Sequence, residues 1–242
     1  MSEFKMPTEV VELPSKGLIY PEDNPLSSGK VEMKYMTAKE EDILTNQSYI
    51  QKGIVIDKLL KALIVSDINY DDLIVGDKNA ILIAARVLGY GGEYSFEYFG
   101  QPYTVDLATL ENKEFDENLY KKGENNFSFE LPSSGAKITF KLLTGKDEKA
   151  IDRELAGLKK INKESSPELT TRLKHIITSV NGDDEAKTIR DFVDNHLLAR
   201  DSRALREHIR QMQPDVEMSF IPEGEDTPIT VPMTANFLYP DI

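Results

Sequence analysis

Two short stretches of the chain carry residue spacings that could do chemistry. Phe96-Glu-Tyr-Phe99-Gly100 runs into the alternating segment Tyr103-Thr-Val-Asp-Leu107, and Phe220-Ile-Pro-Glu223-Gly224 precedes Ile229-Thr-Val-Pro232. In each, two positions three apart are followed by glycine. That is the geometry of a zinc knuckle, where glycine lets the turn wrap back so that both ligands reach one ion. Here the four positions are Phe96, Phe99, Phe220 and Glu223. None supplies a thiolate and three cannot bind zinc, so no metal is expected. Two readings stay open: a knuckle whose metal cluster is replaced by apolar packing, or two unrelated hairpins.

The other reactive residue types form no constellation. His175, His196 and His208 each fall in a predicted helix without a second histidine at ligand spacing. No Gly-x-Ser-x-Gly elbow is present, and the glycines at 89, 91 and 92 follow a helix instead of opening one, which excludes a phosphate loop there. Carboxylates lie in solvated runs such as Glu40-Glu-Asp42 and Asp183-Asp-Glu185. No residue pattern marks Asp152 or Glu154 as a general acid. Catalytic residues and cofactors are therefore not expected. Arg203, Arg206 and Arg210 share one helical face and read either as a solvated face or as a docking surface for an acidic partner.

The chain has 242 residues, no cysteine, a formal net charge of −13 and a pI of about 4.8. Its field repels phosphate backbones, so nucleic acid is not an expected partner. Disulfides and thiolate metal sites are excluded. The N-terminal residues lack the apolar core of a signal peptide, and the apolar run near Ile81–Ala85 is too short to span a bilayer. A soluble intracellular protein, or one released by lysis, without a membrane partner is expected.

The elements that would position these residues can be read in order. Residues 1–30 are rich in Pro, Gly and Ser and are read as an extended arm, with Leu18 and Tyr20 as partner-binding residues. Deleting residues 1–21 is then expected to leave a folded core. Residues 31–143 form an N-terminal α+β domain. A strand carries Val31, Met33 and Tyr35, and the capping box Thr37-Ala-Lys-Glu40 starts a helix. A second helix spans residues 54–64, and a third near 78–88 is capped by Asp77. Four alternating runs over 91–143 then predict a meander of about four strands. Residues 144–163 form a connecting helix whose seam of Ile151, Leu155, Leu158 and Ile161 suits a partner helix or the chain's own core. Residues 164–242 form a C-terminal helical block ending in a hairpin. Helices are expected from Ser166 to Val180, over 184–198, and over 202–213, the last capped by Asp201 or Ser202. Phe237 and Tyr239 form an aromatic terminus expected to dock. The fold class is α+β: small helical groups alternate with antiparallel meander and knuckle hairpins, zinc-ribbon-like but without cysteines.

Several features in this order resemble one family. They are Glu12-Leu-Pro-Ser-Lys-Gly17-Leu-Ile-Tyr-Pro21, Thr37-Ala-Lys-Glu-Glu-Asp-Ile-Leu44, Val75-Gly-Asp77 with Arg86 and Gly89-Tyr90-Gly91, the knuckle, and Phe237-Leu-Tyr-Pro240. The chain resembles the baseplate hub components and hub-assembly proteins of T4-like contractile-tailed phages. Some relatives carry Cys-x-x-Cys pairs at the knuckles, from which this chain departs at Phe96, Phe99, Phe220 and Glu223. The resemblance implies a non-enzymatic protein of tail morphogenesis whose partners are other tail and baseplate hub proteins. It would act in the host cytoplasm during assembly, or remain in the virion baseplate. The alternative is a tail-assembly chaperone that binds another tail protein transiently and is absent from the virion. Acidic charge, which keeps a free protein dispersed, favours that alternative slightly.

Overall fold

The computed structural model describes residues 6–161, 167–233 and 237–238. Its central element is α4 (Val75–Tyr90). Ahead of it come β1 (Thr8–Glu12), β2 (Lys30–Lys34), α1 (Ala38–Leu44), α2 (Gln47–Gln51) and α3 (Val55–Leu63). Behind it lie β3 (Glu93–Tyr98), β4 (Gln101–Asp106), β5 (Phe127–Glu130), β6 (Lys137–Phe140) and α5 (Gly145–Ile161). The chain continues with α6 (Glu168–Ile176), β7 (Ile177–Val180), α7 (Ala186–Asp191), α8 (Ala199–Met212), β8 (Ser219–Phe220) and β9 (Ile229–Thr230). The fold is mixed α+β with small antiparallel sheets, paired β1-β2, β3-β4, β5-β6-β7 and β8-β9.

The expected four-stranded meander is not one sheet. β3-β4 closes on itself, and β5-β6 recruits β7 from beyond α5. β7 was expected to be the end of a helix. Residues Ile177-Thr-Ser-Val180 instead complete the sheet, where Thr139 Oγ1 meets Thr178 Oγ1 and Ser179 Oγ at 2.7 Å each. β-branched residues fit a pleated surface, and an available strand edge outweighs a weak helical preference. Ser166 lies outside the described residues; α6 begins at Glu168.

Residues 13–29 are not an arm. Leu13, Ile19, Tyr20 and Leu26 are buried in the core that also contains Phe237 and Leu238. This core draws on residues 13–26, 31–142 and 173–238 and takes none from the connecting segment 144–163. What holds the N-terminal segment is Asp77. It does not cap α4, whose N-cap is Ile74, but sits fully buried in the first turn. Its Oδ1 accepts from Ser15 N at 2.9 Å, and its Oδ2 accepts from Ser15 Oγ at 2.7 Å and Tyr20 OH at 2.6 Å. Tyr20 OH in turn accepts from Ile74 N at 3.1 Å, filling one of the free donors of the helix start. Burial pushes the Asp77 carboxyl up, against the pull of these three donors. Burial and the adjacent Asp77 carboxylate push the Tyr20 phenol well above its ordinary range, so it remains a donor.

The Ser15 loop reaches this position because Gly17 and Gly29, both at positive φ, pass where no side chain fits. A Cβ on Gly17 would lie 2.5 Å from Ser27 O. Gly76 makes a comparable close approach in α4, where a Cβ would lie 1.9 Å from Pro214 O. At the other end of α4, Arg86 is buried and donates to Gly91 O at 2.7 Å and Glu93 O at 2.9 Å, fixing how the chain leaves the helix for β3.

Tyr20→Phe removes a donor to Asp77 and the acceptor for Ile74 N. It is expected to cost about 1–3 kcal/mol in urea unfolding, and Asp77→Ala more. Deletion of residues 1–21 should abolish the cooperative transition, the reverse of the expectation from sequence. The capping box does form: Glu40 Oε2 accepts from Thr37 N at 3.1 Å and Thr37 Oγ1 at 2.6 Å, and Oε1 accepts from Lys34 at 2.8 Å. Burial raises the Glu40 pKa, but Lys34 and Thr37 outweigh it and bring it from 4.5 to about 2. A depressed carboxylate contributes stability that is present above its unfolded value and lost as pH falls through its folded value. Acid titration of Glu40→Gln should therefore show a shallower loss of stability than wild type between pH 4.5 and about 2.

Candidate protein-docking site

The two stretches singled out for their spacing come together, by packing. β3 and β4 pair with Phe96 opposite Tyr103 and Tyr98 opposite Gln101. Only Phe99 and Gly100 connect them, both at positive φ (47° and 76°). Two-residue hairpin turns of this hand match the twist of the strands and favour Asn-Gly. Phenylalanine in this conformation costs roughly 1 kcal/mol through Cβ crowding.

An aromatic row leads from the core to this turn. Phe237 meets Tyr94 edge-on at 5.2 Å, and Tyr94 stacks on Phe96 at 5.6 Å. Phe96 contacts Tyr103 at 6.1 Å, Tyr103 contacts Tyr98 at 6.4 Å, and Tyr98 contacts Phe99 at 4.6 Å. The second hairpin, β8-β9, seats Phe220 edge-on against Phe96 at 6.1 Å and Tyr103 at 6.5 Å. Tyr103 OH donates to Glu225 Oε1 at 3.0 Å, a bond that holds the phenol pKa up. Tyr94 OH donates to Pro232 O at 2.8 Å. The row starts fully buried at Phe237 and ends at Phe99, which is 92% exposed. Glu97, Glu223, Glu225 and Asp226 on the two hairpins are exposed and acidic.

The four knuckle positions therefore do not converge. Phe96 and Phe220 touch, whereas Phe99 and Glu223 face solvent. Among the described residues, no three of His, Cys, Asp and Glu are grouped to hold a metal. The arrangement is apolar at its tip and acidic along its border. It offers an apolar knob on a stiff base, bordered by carboxylates, which suits an apolar socket edged with Lys or Arg.

The residues expected to bind partners are scattered. Tyr20 is part of the Asp77 cluster and Leu18 is half-buried beside the core. Ile151 is buried, while Leu155 and Leu158 are half-buried on α5, which packs against α6 and residues 70–72. Phe237 is at the root of the aromatic row. Leu18, Tyr20 and Phe237 serve the protein's own core, because burying apolar area within the chain removes it from partners. Tyr239 lies outside the described residues. Arg203, Arg206 and Arg210 are exposed, and Arg210 holds Glu207 at 2.7 and 2.9 Å. Asp201 and Ser202 do not cap α8, which starts at Ala199. Asp201 is buried and accepts from Ser133 N at 2.7 Å and Ser134 N at 3.0 Å, fixing the β5–β6 turn to α8.

A cleft of about 580 Å³ lies between α3–α4 and α5–α6. Its cations are already matched. Lys78 is 3.6 Å from Asp57, Lys141 donates to Asp147 at 2.6 Å, and Arg172 forks onto Glu148 at 2.8 and 2.9 Å. It reads as a joint between elements and not as an anion site. No helix among the described residues is long and apolar enough to cross a membrane. No family model matches the chain, and neither does any curated protein or solved structure.

Read from the sequence, Phe99 is either a knuckle position packed in place of a metal ligand or part of an unrelated hairpin, and neither reading gives it an exposed role. The signal against that was available: a bulky residue before Gly100, between two alternating runs of equal length, occupies the turn where asparagine fits best. Phe99→Asn is expected to stabilise the isolated protein by up to ~1 kcal/mol through relief of the left-handed strain. Parallel urea titrations of variant and wild type would measure it; a loss of stability would mean that Phe99 packs within the chain.

Proposed function

We propose that this chain is a non-enzymatic phage tail protein, a component of or assembly factor for the baseplate hub, working through protein–protein contacts. The observation carrying a docking role is Phe99: an aromatic held in a strained conformation, exposed to solvent, on a base of stacked rings. Strain that the fold itself gains nothing from is retained where something outside the fold uses it. The placement in a phage tail rests on the order and spacing of the motifs from Glu12 to Pro240.

The second reading, a tail-assembly chaperone absent from the finished particle, is favoured by the net charge of −13. Quantitative mass spectrometry of purified virions, with lysate from the same infection as reference, separates the two. A fixed low copy number tracking baseplate proteins is the expected result for a hub component. Abundance in lysate with absence from particles would establish the chaperone. Phage carrying Phe99→Ala should yield fewer complete tails while the variant protein accumulates to normal levels in lysate. Normal tail yield would remove Phe99 from the interface.

A further inference from the structure

We infer that the free edge of β1, with the apolar groove beside it, is a receptor for an extended segment of another protein, which would add to the sheet as a third strand. This inference is independent of the phage-tail reading. Tyr35 N donates to Pro7 O at 3.3 Å and Leu13 N to Gly29 O at 2.8 Å. Bonded and non-bonded pairs alternate along an antiparallel ladder. Thr8, Val10 and Glu12, opposite Lys34, Glu32 and Lys30, therefore aim their backbone groups away from β2. The far edge of β2 is already covered, with Val65 N donating to Glu32 O and Glu32 N to Ser66 Oγ, both at 2.8 Å. Among the described residues no backbone hydrogen bond covers the β1 edge, and Val10 is 57% exposed.

Beside this edge runs a groove of about 470 Å³. Its floor is one stripe of α4, Ala80, Ile83, Ala84 and Val87, at helical spacings of three and four. Alanines at 80 and 84 leave room for a second backbone to approach. The opposite wall is formed by residues 107–112, whose end pairs with residues 215–217: Glu217 N donates to Glu111 O at 2.8 Å and Lys113 N to Asp215 O at 2.8 Å. An open strand edge recognises main chain, and a groove at its side recognises alternate side chains; together they specify strand addition.

The charges select the occupant. Glu9, Glu12 and Glu111 line the groove and, among the described residues, no Lys or Arg does, although Glu12 also holds Lys30 at 3.1 Å. The segment that fits alternates small or β-branched apolar residues and is flanked by Lys or Arg. A second copy of β1 fits poorly, since it would bring its own Glu9 and Glu12 against these carboxylates.

The test is fluorescence anisotropy of the full chain with the labelled peptide Lys-Lys-Val-Thr-Val-Ala-Val-Lys-Lys, and with the same peptide carrying a central proline. Saturable binding of the first and not the second is expected, with amide and methyl NMR shifts confined to β1 and the α4 stripe. Val10→Pro removes an outward N–H without touching the β1–β2 bonds. It should weaken binding roughly tenfold, the equivalent of one hydrogen bond. Ala84→Glu, which fills the groove, should weaken it as much without altering the strand, and each variant's thermal transition reports whether it folds. Absence of binding to the wild type, or equal binding to both folded variants, would overturn the proposal. So would a wild-type dimer in sedimentation that Val10→Pro dissolves, because the edge would then belong to a second copy.

Discussion

Asp77 is a carboxylate with no access to water, and the chain can fold only if it brings that carboxylate its donors. All three come from one loop sixty residues away in sequence, through Ser15 N, Ser15 Oγ and Tyr20 OH. A buried charge or carboxyl left unpartnered costs far more than an ordinary hydrogen bond contributes. The N-terminal segment is therefore bound to the start of α4 by necessity. Because Ile74 N completes the cluster through Tyr20, the helix start is satisfied by the same contact. β1 follows from this: the loop that reaches Asp77 hands the chain from β1 to β2 and leaves the ribbon lying along α4.

The same helix anchors the other end of the molecule. Arg86 takes the carbonyls of Gly91 and Glu93 and so sets where β3 departs. Rings from three separate segments then stack along the hairpin, Tyr94 and Phe96 from β3, Phe220 from β8, and Phe237 from beyond β9. Each pair contributes on the order of 1 kcal/mol beyond its burial. Cross-packing of this kind makes the hairpin rigid without a metal. Rigidity matters at the tip, because a knob that does not move loses less entropy on docking. The strain at Phe99 is affordable to the fold only because the strands on both sides are held by this row.

Much of the element order was legible. The capping box at Thr37–Glu40 forms as read, and α3, α4, α5 and the β3–β4 hairpin lie within a few residues of their expected positions. These are local signals, in which the side chain that specifies the structure sits beside the backbone it affects. The errors were non-local. Asp77 looks like a cap, and Asp201 looks like one too, because their type and position match; in the fold both carboxylates are taken by donors on distant loops, one backbone amide and two hydroxyls for Asp77 and two backbone amides for Asp201. Residues 177–180 look helical until β6 offers an edge. The arm at residues 1–30 looks detached because Pro, Gly and Ser are common there, yet Gly17 and Gly29 are what let it pass close to its own backbone.

The sequence by itself determined the α+β class, the capping box that starts α1, the alternation of the hairpins, the acidity, and the absence of thiolate chemistry. These depend on residue type and on periods of two or of three and four. Only the tertiary structure decided that Tyr20, Ile151 and Phe237 belong to the core while Phe99 and Val10 face outward. The reason is physical. An apolar residue carries the same preference for burial wherever it stands, and whether that preference is met by its own chain or left for a partner depends on which distant elements arrive to cover it.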